Sequence, residues 1–219
     1  MITEPDVTLT DYGLAAECVL FTYLLGRRGN RQQLLRTWFA VFFGSLGVAS
    51  LFGGTVHGFF LDAETAGHRA LWPATLLAIG VTTLAAWIVG ARIQFSRGVA
   101  RAISIAAVLQ LVGYCVVVLF IVQTFRVAIL NYLPASIFLL VVFFLTYIRV
   151  RKGAVLIGLV GIVLTFVGAG VQQAGIVVHP VYFNHNALYH VIQAAALFMI
   201  FWSARWFTVA TGRLGGRTC

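Results

Sequence analysis

Three histidines stand in or beside stretches of the chain that are otherwise apolar enough to lie in a membrane. His57 ends the second apolar stretch, His190 lies about one turn inside the last one, and His185 precedes His190 by five residues. Ionisable side chains are costly in lipid, so they commonly mark functional sites. A neutral imidazole is a common metal ligand, and the N-terminal end of a helix keeps an imidazole neutral. The three histidines are therefore predicted to bind one metal ion near a membrane face.

The spacing in the last stretch leaves its second ligand open. Five helical residues turn by about 140° beyond a full turn, so His185 and His190 reach one ion only if His185 lies in the loop before the helix. Asn186 lies four residues before His190 and shares its helical face. Either His185 or Asn186 can therefore take the second position.

Small residues lie beneath His57 on its helical face. Gly54, Gly53 and Ser50 precede it by three, four and seven residues, which places them in one stripe. One interpretation is a cavity that leads to the metal. The other is close packing of two helices, which small residues spaced by four commonly allow in membranes.

The acidic residues are confined to the first part of the chain. All six precede Thr65, and Glu17 lies near the middle of the first apolar stretch, where a carboxylate must be protonated, paired or hydrated. Asp11 is either a helix-entry residue or, with Glu17, part of a second cation site. The pattern predicts one polar site at the outer ends of the first, second and seventh apolar stretches.

The composition predicts that lipid is the solvent for most of the surface. The chain has 219 residues, of which 61% are hydrophobic and 10% are charged, and its mean hydropathy is +0.96. Soluble domains carry about 25% charged residues. The net charge of +9 comes from basic residues in short loops rather than from one patch, so we expect membrane lipids and not nucleic acid as partners.

Seven apolar segments of about 20 residues each predict one domain, residues 1–219, built as a seven-transmembrane helix bundle. The predicted spans are 8–25, 37–60, 70–90, 103–123, 127–148, 154–178 and 187–207. Basic residues concentrate in alternate loops, and the positive-inside rule then places the N-terminus outside and the C-terminus in the cytoplasm. In a cell membrane, the five histidines would fall on the extracytoplasmic side.

This pattern resembles the CREST superfamily of membrane hydrolases, which includes the alkaline ceramidases and the progestin and adipoQ receptors. The shared features are seven spans, an acidic first segment, a histidine at the end of the second span, and the seventh-span start Asn186-Ala187-Leu188-Tyr189-His190. In that family, one histidine of the second span and two of the seventh bind zinc beside a serine and an aspartate. The resemblance covers the whole topology through a few residues.

The resemblance implies zinc-dependent hydrolysis of a lipid amide or ester, with the three histidines named above as ligands. Zinc with three nitrogen ligands keeps a position open for water and activates it. Asp62 or Glu17 would accept the proton, and Ser50 would hydrogen-bond the developing oxyanion. The chain departs from the family pattern at Gly53, which stands where the family has its serine, one turn outward from Ser50.

Two non-enzymatic interpretations remain open at this level. A sensor or structural membrane protein would keep the seven-helix bundle without turnover. His57 and His190 could also serve as the two axial ligands of a haem rather than as zinc ligands.

Overall fold

The computed structural model of the protein describes residues 2–27, 32–179 and 182–210. Over these ranges the chain forms seven α-helices joined by short connections. Their bounds are α1 Pro5–Gly26, α2 Gln33–Phe59, α3 Ala66–Gln94, α4 Arg97–Phe120, α5 Phe125–Val150, α6 Gly153–Gln173 and α7 His185–Ala210. Short connections make successive helices antiparallel. The start of α1, the end of α2 and the start of α7 therefore lie at the same end of the bundle.

Six of the seven helices in the described ranges, α2 to α7, are long and apolar enough to cross a membrane. The prediction of an all-helical membrane protein is confirmed to this extent. Helix α1 is not among the six, although it has 22 residues. Asp6, Asp11 and Glu17 lower its hydropathy, and none of the other six described helices contains an acidic residue.

Helix α1 is nevertheless part of the packed bundle, because it contacts both α2 and α7. Phe21 of α1 stacks on Phe201 of α7 with 4.1 Å between ring centroids, and it meets Phe43 of α2 edge-on at 5.4 Å. Aromatic pairs in these geometries add to the stabilisation from buried area. The aromatic contacts fix one end of α1, so that its acidic end is held between α2 and α7.

Glycines bring α1 and α2 unusually close together. A Cβ atom added to Gly47 would lie 3.0 Å from Cys18 Cβ, and one added to Gly54 would lie 2.8 Å from Asp11 Cβ. Gly53, by contrast, has room for a Cβ, with its nearest neighbour at 3.6 Å. Each of the two interpretations of the small residues beneath His57 therefore holds for one glycine. Gly54 packs against α1, and Gly53 lines a cavity.

The chain between α6 and α7 differs from the predicted boundaries. Helix α6 ends at Gln173, five residues before the predicted end of the span, and Gly175 follows in the left-handed region at φ +64°. Helix α7 begins at His185, where the Asn184 side-chain oxygen accepts hydrogen bonds from the backbone N–H groups of Asn186 and Ala187, at 2.9 and 3.0 Å. Asn184 is therefore the N-cap, and His185 is a helical residue rather than a loop residue.

Candidate functional site

A buried carboxyl–imidazole pair joins α1 to α7. Asp11 Oδ1 lies 3.4 Å from His190 Nε2, and the side chains of the two residues are only 8% and 12% exposed. The hydroxyl of Ser50, on α2, hydrogen-bonds to the Asp11 carboxyl group. Three helices therefore meet at this pair, and each contributes one polar side chain.

Thr10 fixes the orientation of the His190 ring. Its Oγ1 lies 3.1 Å from His190 Nδ1, and it also lies 2.8 Å from the carbonyl oxygen of Asp6 and 3.0 Å from that of Val7. A hydroxyl group has one hydrogen to donate, and the carbonyl oxygens can only accept. Thr10 therefore donates to the backbone and accepts from His190 Nδ1–H.

This arrangement determines what faces Asp11. With Nδ1 protonated, a neutral His190 presents the Nε2 lone pair to the carboxyl group, and two acceptors in contact require a proton between them. The proton belongs either to Asp11, as a neutral acid that donates to Nε2, or to an imidazolium that donates to the carboxylate. The pair is thus built to hold one proton that either partner can carry.

A second pair covers the end of α2. His57 Nδ1 lies 2.5 Å from Glu4 Oε2, and both side chains are partly exposed. The backbone N–H of Thr3 donates to the Gly58 carbonyl oxygen at 3.0 Å, so the segment before α1 is tied to the same helix end. His57 is held by the N-terminal segment through Nδ1, and its Nε2 remains available to other partners.

A cavity of about 390 Å³ lies between α1, α2, α3, α5, α6 and α7, and its wall contains the Asp11–His190 pair and, of the second pair, His57. Its volume is within the range of about 300–1,000 Å³ that is typical of small-molecule sites. The Asp11–His190 pair and His57 line it together with Ser50 and Gln193. Most of the remaining wall consists of aliphatic and aromatic side chains. Such a wall with a few converging polar groups is the usual character of a ligand site.

Two amides extend the polar part of this cavity. Gln172 Nε2 donates to Asn186 Oδ1 at 3.1 Å, which links α6 to the start of α7. Gln193 lies one turn beyond His190 and is 5% exposed, and its side-chain oxygen has no hydrogen-bond partner among the described residues. A buried acceptor of this kind normally has a partner, from the protein, from water or from a ligand.

A family model described as a family of unknown function (DUF6962) matches residues 7–208. The chain belongs to this family. The match runs from α1 to α7 and includes every helix that lines the cavity, so the cavity lies wholly within the DUF6962 region. No curated protein and no solved structure matches the chain. The resemblance to the CREST superfamily therefore stays a prediction.

The structure brings three of the predicted site residues of this DUF6962 member together. His57, His190 and Ser50 all line the cavity. Ser50, however, contacts the carboxyl group of Asp11 rather than an imidazole. The sequence analysis assigned Asp11 only to helix entry or to a second cation site, whereas here it is the direct partner of His190.

The other three predicted site residues lie outside the cavity wall. Asp62 is exposed in the loop between α2 and α3, where its Oδ1 accepts from the backbone N–H of Glu64 at 2.9 Å and so stabilises a turn. His185 is half-buried at the start of α7, about 140° around the helix from His190. Glu17 is half-buried on α1, and its Oε2 is buried without a partner in the described part of the chain.

The predicted metal sites can be tested against these positions. Within residues 2–27, 32–179 and 182–210, no group of three or more His, Cys, Asp or Glu side chains is arranged to hold a metal ion. A catalytic zinc ion takes three protein ligands, so the predicted set of His57, His185 and His190 does not fit this geometry. Asp11 and Glu17 are six residues apart, about 240° around α1, so they do not face one common cation.

Two residues that contact the cavity histidines were not singled out in the sequence analysis. Glu4 was counted only among the six acidic residues that precede Thr65, and its contact with His57 spans 53 residues of sequence. Thr10 contacts His190 across 180 residues. Thr10 lies next to Asp11 in the sequence, so the polar pair Thr10-Asp11 at the start of an apolar helix was the available signal.

Proposed function

We propose that this protein hydrolyses the acyl amide or ester bond of a membrane lipid inside the cavity. The observation that carries the proposal is the buried Asp11–His190 pair, whose side chains lie 3.4 Å apart beside a mostly apolar cavity. Buried ionisable groups in a membrane protein are costly and mark functional sites by default. A lipid is the substrate class that reaches a site between membrane helices.

The side chains support a balanced general acid–base reaction. The oxygen of a water molecule attacks the acyl carbonyl carbon, and the pair, with its Asp11 side as carboxylate, accepts a proton from that water. The carbon–nitrogen or carbon–oxygen bond then breaks, and the pair returns the proton to the departing amine or alkoxide. The amide N–H group of Gln193 is a neutral donor in the wall that can stabilise the transient oxyanion, whereas the Ser50 hydroxyl already donates to the Asp11 carboxyl group.

We further propose that α1 is the seventh membrane span, with the N-terminus outside and the C-terminus in the cytoplasm of a cell membrane. The supporting observation is that basic residues of the described ranges concentrate on the side opposite the site, at the helix ends that flank the α1–α2, α3–α4 and α5–α6 connections. They are Arg27, Arg36, Arg92, Arg97, Arg101, Arg149, Arg151 and Lys152. The positive-inside rule then assigns that side to the cytoplasm and the cavity's polar end to the outside.

Release of fatty acid from defined lipids tests the hydrolase. Purified protein in nanodiscs is supplied with amide-linked and ester-linked acyl lipids, and free fatty acid is measured by mass spectrometry, with and without added zinc and chelator. Asp11→Asn and His190→Gln should each lower the rate by about 100-fold or more, since general acid–base catalysis contributes about 10²–10⁴-fold. Asp62→Asn, at an exposed turn, is the matched control and should retain the wild-type rate.

The chelator arm decides whether the predicted zinc takes part. If the wild-type protein still releases fatty acid in the presence of chelator, the side chains carry out the reaction without a metal ion. If chelator abolishes release and zinc restores it, a zinc ion takes part, and its ligands differ from the predicted set of His57, His185 and His190. No release from any lipid with zinc present, or full release in His190→Gln, contradicts the proposal.

A lipid-binding sensor without turnover is the second candidate. Ser50 contacts the carboxyl group rather than His190, so a serine nucleophile beside an imidazole base is not formed. The same cavity then binds a lipid reversibly, and saturable lipid binding without fatty-acid release identifies this case.

A further inference from the structure

Tyr189 of α7 brings to the cavity a hydroxyl group that takes no part in the proposed proton transfer. The residue lines the cavity one position before His190, and the rings of the two residues lie 5.4 Å apart between centroids. On its other side it packs on Gly168 of α6, where an added Cβ would lie 3.3 Å from a Tyr189 ring carbon. The Tyr189 ring is therefore held against α6 and beside His190.

The Tyr189 hydroxyl group has no structural hydrogen bond. Among the described residues, its ring contacts His190, it interacts electrostatically with Tyr132 and Asp11, and no residue hydrogen-bonds to its hydroxyl. Tyr132 lies on α5 and Asp11 on α1, so the hydroxyl end of Tyr189 faces the interior of the cavity. A phenol O–H in an apolar setting normally has a hydrogen-bond partner.

The other hydroxyl groups of the cavity wall are already engaged. Ser50 donates to the Asp11 carboxyl group, and the phenol of Tyr132 hydrogen-bonds to Ser136. The remaining wall hydroxyls donate to carbonyl oxygens one turn earlier in their own helices, at 2.9–3.2 Å; they belong to Thr75, Thr82, Ser136 and Thr165. Of the wall hydroxyls in the described ranges, that of Tyr189 is left to donate to a ligand.

Gln193 supplies a second donor next to Tyr189. The two residues are four positions apart on α7 and both line the cavity, so they share one helical face with Cβ atoms roughly 5–6 Å apart. His190 lies between them along the helix. Neutral donors fixed beside the groups that move the proton are the usual means of stabilising an oxyanion.

We propose that Tyr189 is a further catalytic residue, whose phenol O–H donates a hydrogen bond to the acyl carbonyl oxygen of the bound lipid. When water attacks the carbonyl carbon, one electron pair of the C=O double bond moves onto this oxygen, and the hydrogen bond strengthens. When the carbon–nitrogen or carbon–oxygen bond breaks, the same pair restores the double bond. Tyr189 keeps its proton throughout. This inference rests on the proposed function and deepens it.

Two tyrosine substitutions separate a catalytic hydroxyl from a structural one. Tyr189→Phe removes a hydroxyl that has no partner in the described part of the chain. Tyr114→Phe, on α4 outside the cavity wall, removes one that donates to the Leu76 carbonyl oxygen at 2.9 Å. Tyr114→Phe should lower Tm by about 2–4 °C and retain the wild-type kcat for fatty-acid release.

Tyr189→Phe should show the opposite pattern. Its Tm should equal that of the wild type, and its kcat should fall by about 10²–10³-fold, as for the loss of one oxyanion donor. KM should stay within about threefold, because a neutral carbonyl gains less from the donor than an oxyanion does. A folded Tyr189→Phe protein with the wild-type kcat overturns the inference.

The infrared carbonyl stretch of a bound lipid tests the contact without turnover. His190→Gln, in which release should be slow, is loaded with monoacylglycerol or N-acylethanolamine that is isotope-labelled at the acyl carbonyl carbon. The stretch should lie at lower frequency in this protein than in the same protein that also carries Tyr189→Phe, because a hydrogen bond weakens the C=O bond. Equal frequencies in the two proteins overturn the inference.

The failures of the two proposals are distinguishable. Equal fatty-acid release by the wild type and Tyr189→Phe refutes the role of Tyr189 and leaves the hydrolase standing. If the wild type releases no fatty acid, the hydrolase and the catalytic role of Tyr189 are both refuted. A carbonyl frequency that depends on Tyr189 then identifies Tyr189 as a binding contact of the acyl group.

Discussion

Replacing Gly54 with alanine should push α1 away from α2 and displace the site. The added Cβ would lie 2.8 Å from Asp11 Cβ and 3.2 Å from two ring carbons of Tyr12. The Cβ of Asp11 is attached directly to the backbone, so it cannot rotate away as the end of a long side chain can. Helix α1 must therefore shift by a large part of an ångström at the residue that faces His190.

Two opposing effects set the magnitude for Gly54→Ala. Alanine favours a helix over glycine by about 1 kcal/mol. Overpacking of a close contact costs about 1–3 kcal/mol. We expect a net loss of up to about 2 kcal/mol in the free energy of unfolding. Gly113→Ala on α4 is the matched control, because nothing lies within 4 Å of its added Cβ, and it should gain up to about 1 kcal/mol.

Thermal unfolding of both variants in one detergent measures the difference between their stabilities. For chains of this size, 1 kcal/mol corresponds to about 2–4 °C in Tm, so the overpacking cost of about 1–3 kcal/mol should separate the two variants by roughly 2–12 °C. Gly54→Ala should also lower fatty-acid release, because it moves Asp11. If Gly54→Ala is as stable and as active as Gly113→Ala, the close α1–α2 packing that positions Asp11 is refuted.

Three further predictions test the site and the topology. Thr10→Val should lower the free energy of unfolding by about 1 kcal/mol in a denaturation experiment, because His190 Nδ1–H loses one acceptor, and it should slow fatty-acid release. Thr37→Val, at an exposed position, is the control, and equal effects of the two substitutions contradict the role of Thr10. His185→Ala should leave fatty-acid release within about twofold of wild type, and loss of release would show that His185 belongs to the site. A fluorescent protein fused to the C-terminus should fluoresce and an alkaline phosphatase fused there should be inactive, and the reverse result inverts the proposed orientation.

The helices could be predicted from hydropathy because lipid imposes a simple rule on segment length and composition. Helix α1 shows the limit of that rule. Asp6, Asp11 and Glu17 lower its hydropathy, yet contacts of Phe21 with α2 and α7 place it in the bundle. Local composition describes what a segment offers to lipid and carries no information on how much of the segment other helices cover.

The start of α7 shows how a local detail redirects a site prediction. The sequence analysis allowed His185 to share an ion with His190 only from a loop position. The Asn184 side chain caps the helix at the two N–H groups that follow His185, and this makes His185 helical. A cap at Asn186 would leave His185 in the loop, whereas the cap at Asn184 places it in the first turn of α7.

The partners of the two cavity histidines could not be assigned from the sequence for a different reason. His57 and His190 were identified because imidazoles are rare in apolar segments, a property that each position shows alone. Their partners Glu4 and Asp11 are 53 and 179 positions away, and only the packing of α1 against both α2 and α7 brings them into contact. A polar residue on α1 can face any of several neighbours until that packing is known.

The position of Asp11 argues that the pair is kept for its chemistry rather than for stability. An ion pair of buried side chains is weak evidence of stabilisation, because the loss of hydration offsets much of the attraction. Here Gly54 leaves no space beside Asp11, Ser50 and Thr10 hold the two partners, and a cavity remains open next to them. Apolar residues could fill the same space and stabilise the contact between α1 and α7 without any buried proton. A bundle that instead orients a carboxyl group and an imidazole beside an apolar cavity has the arrangement that the proposed proton transfer to a lipid requires.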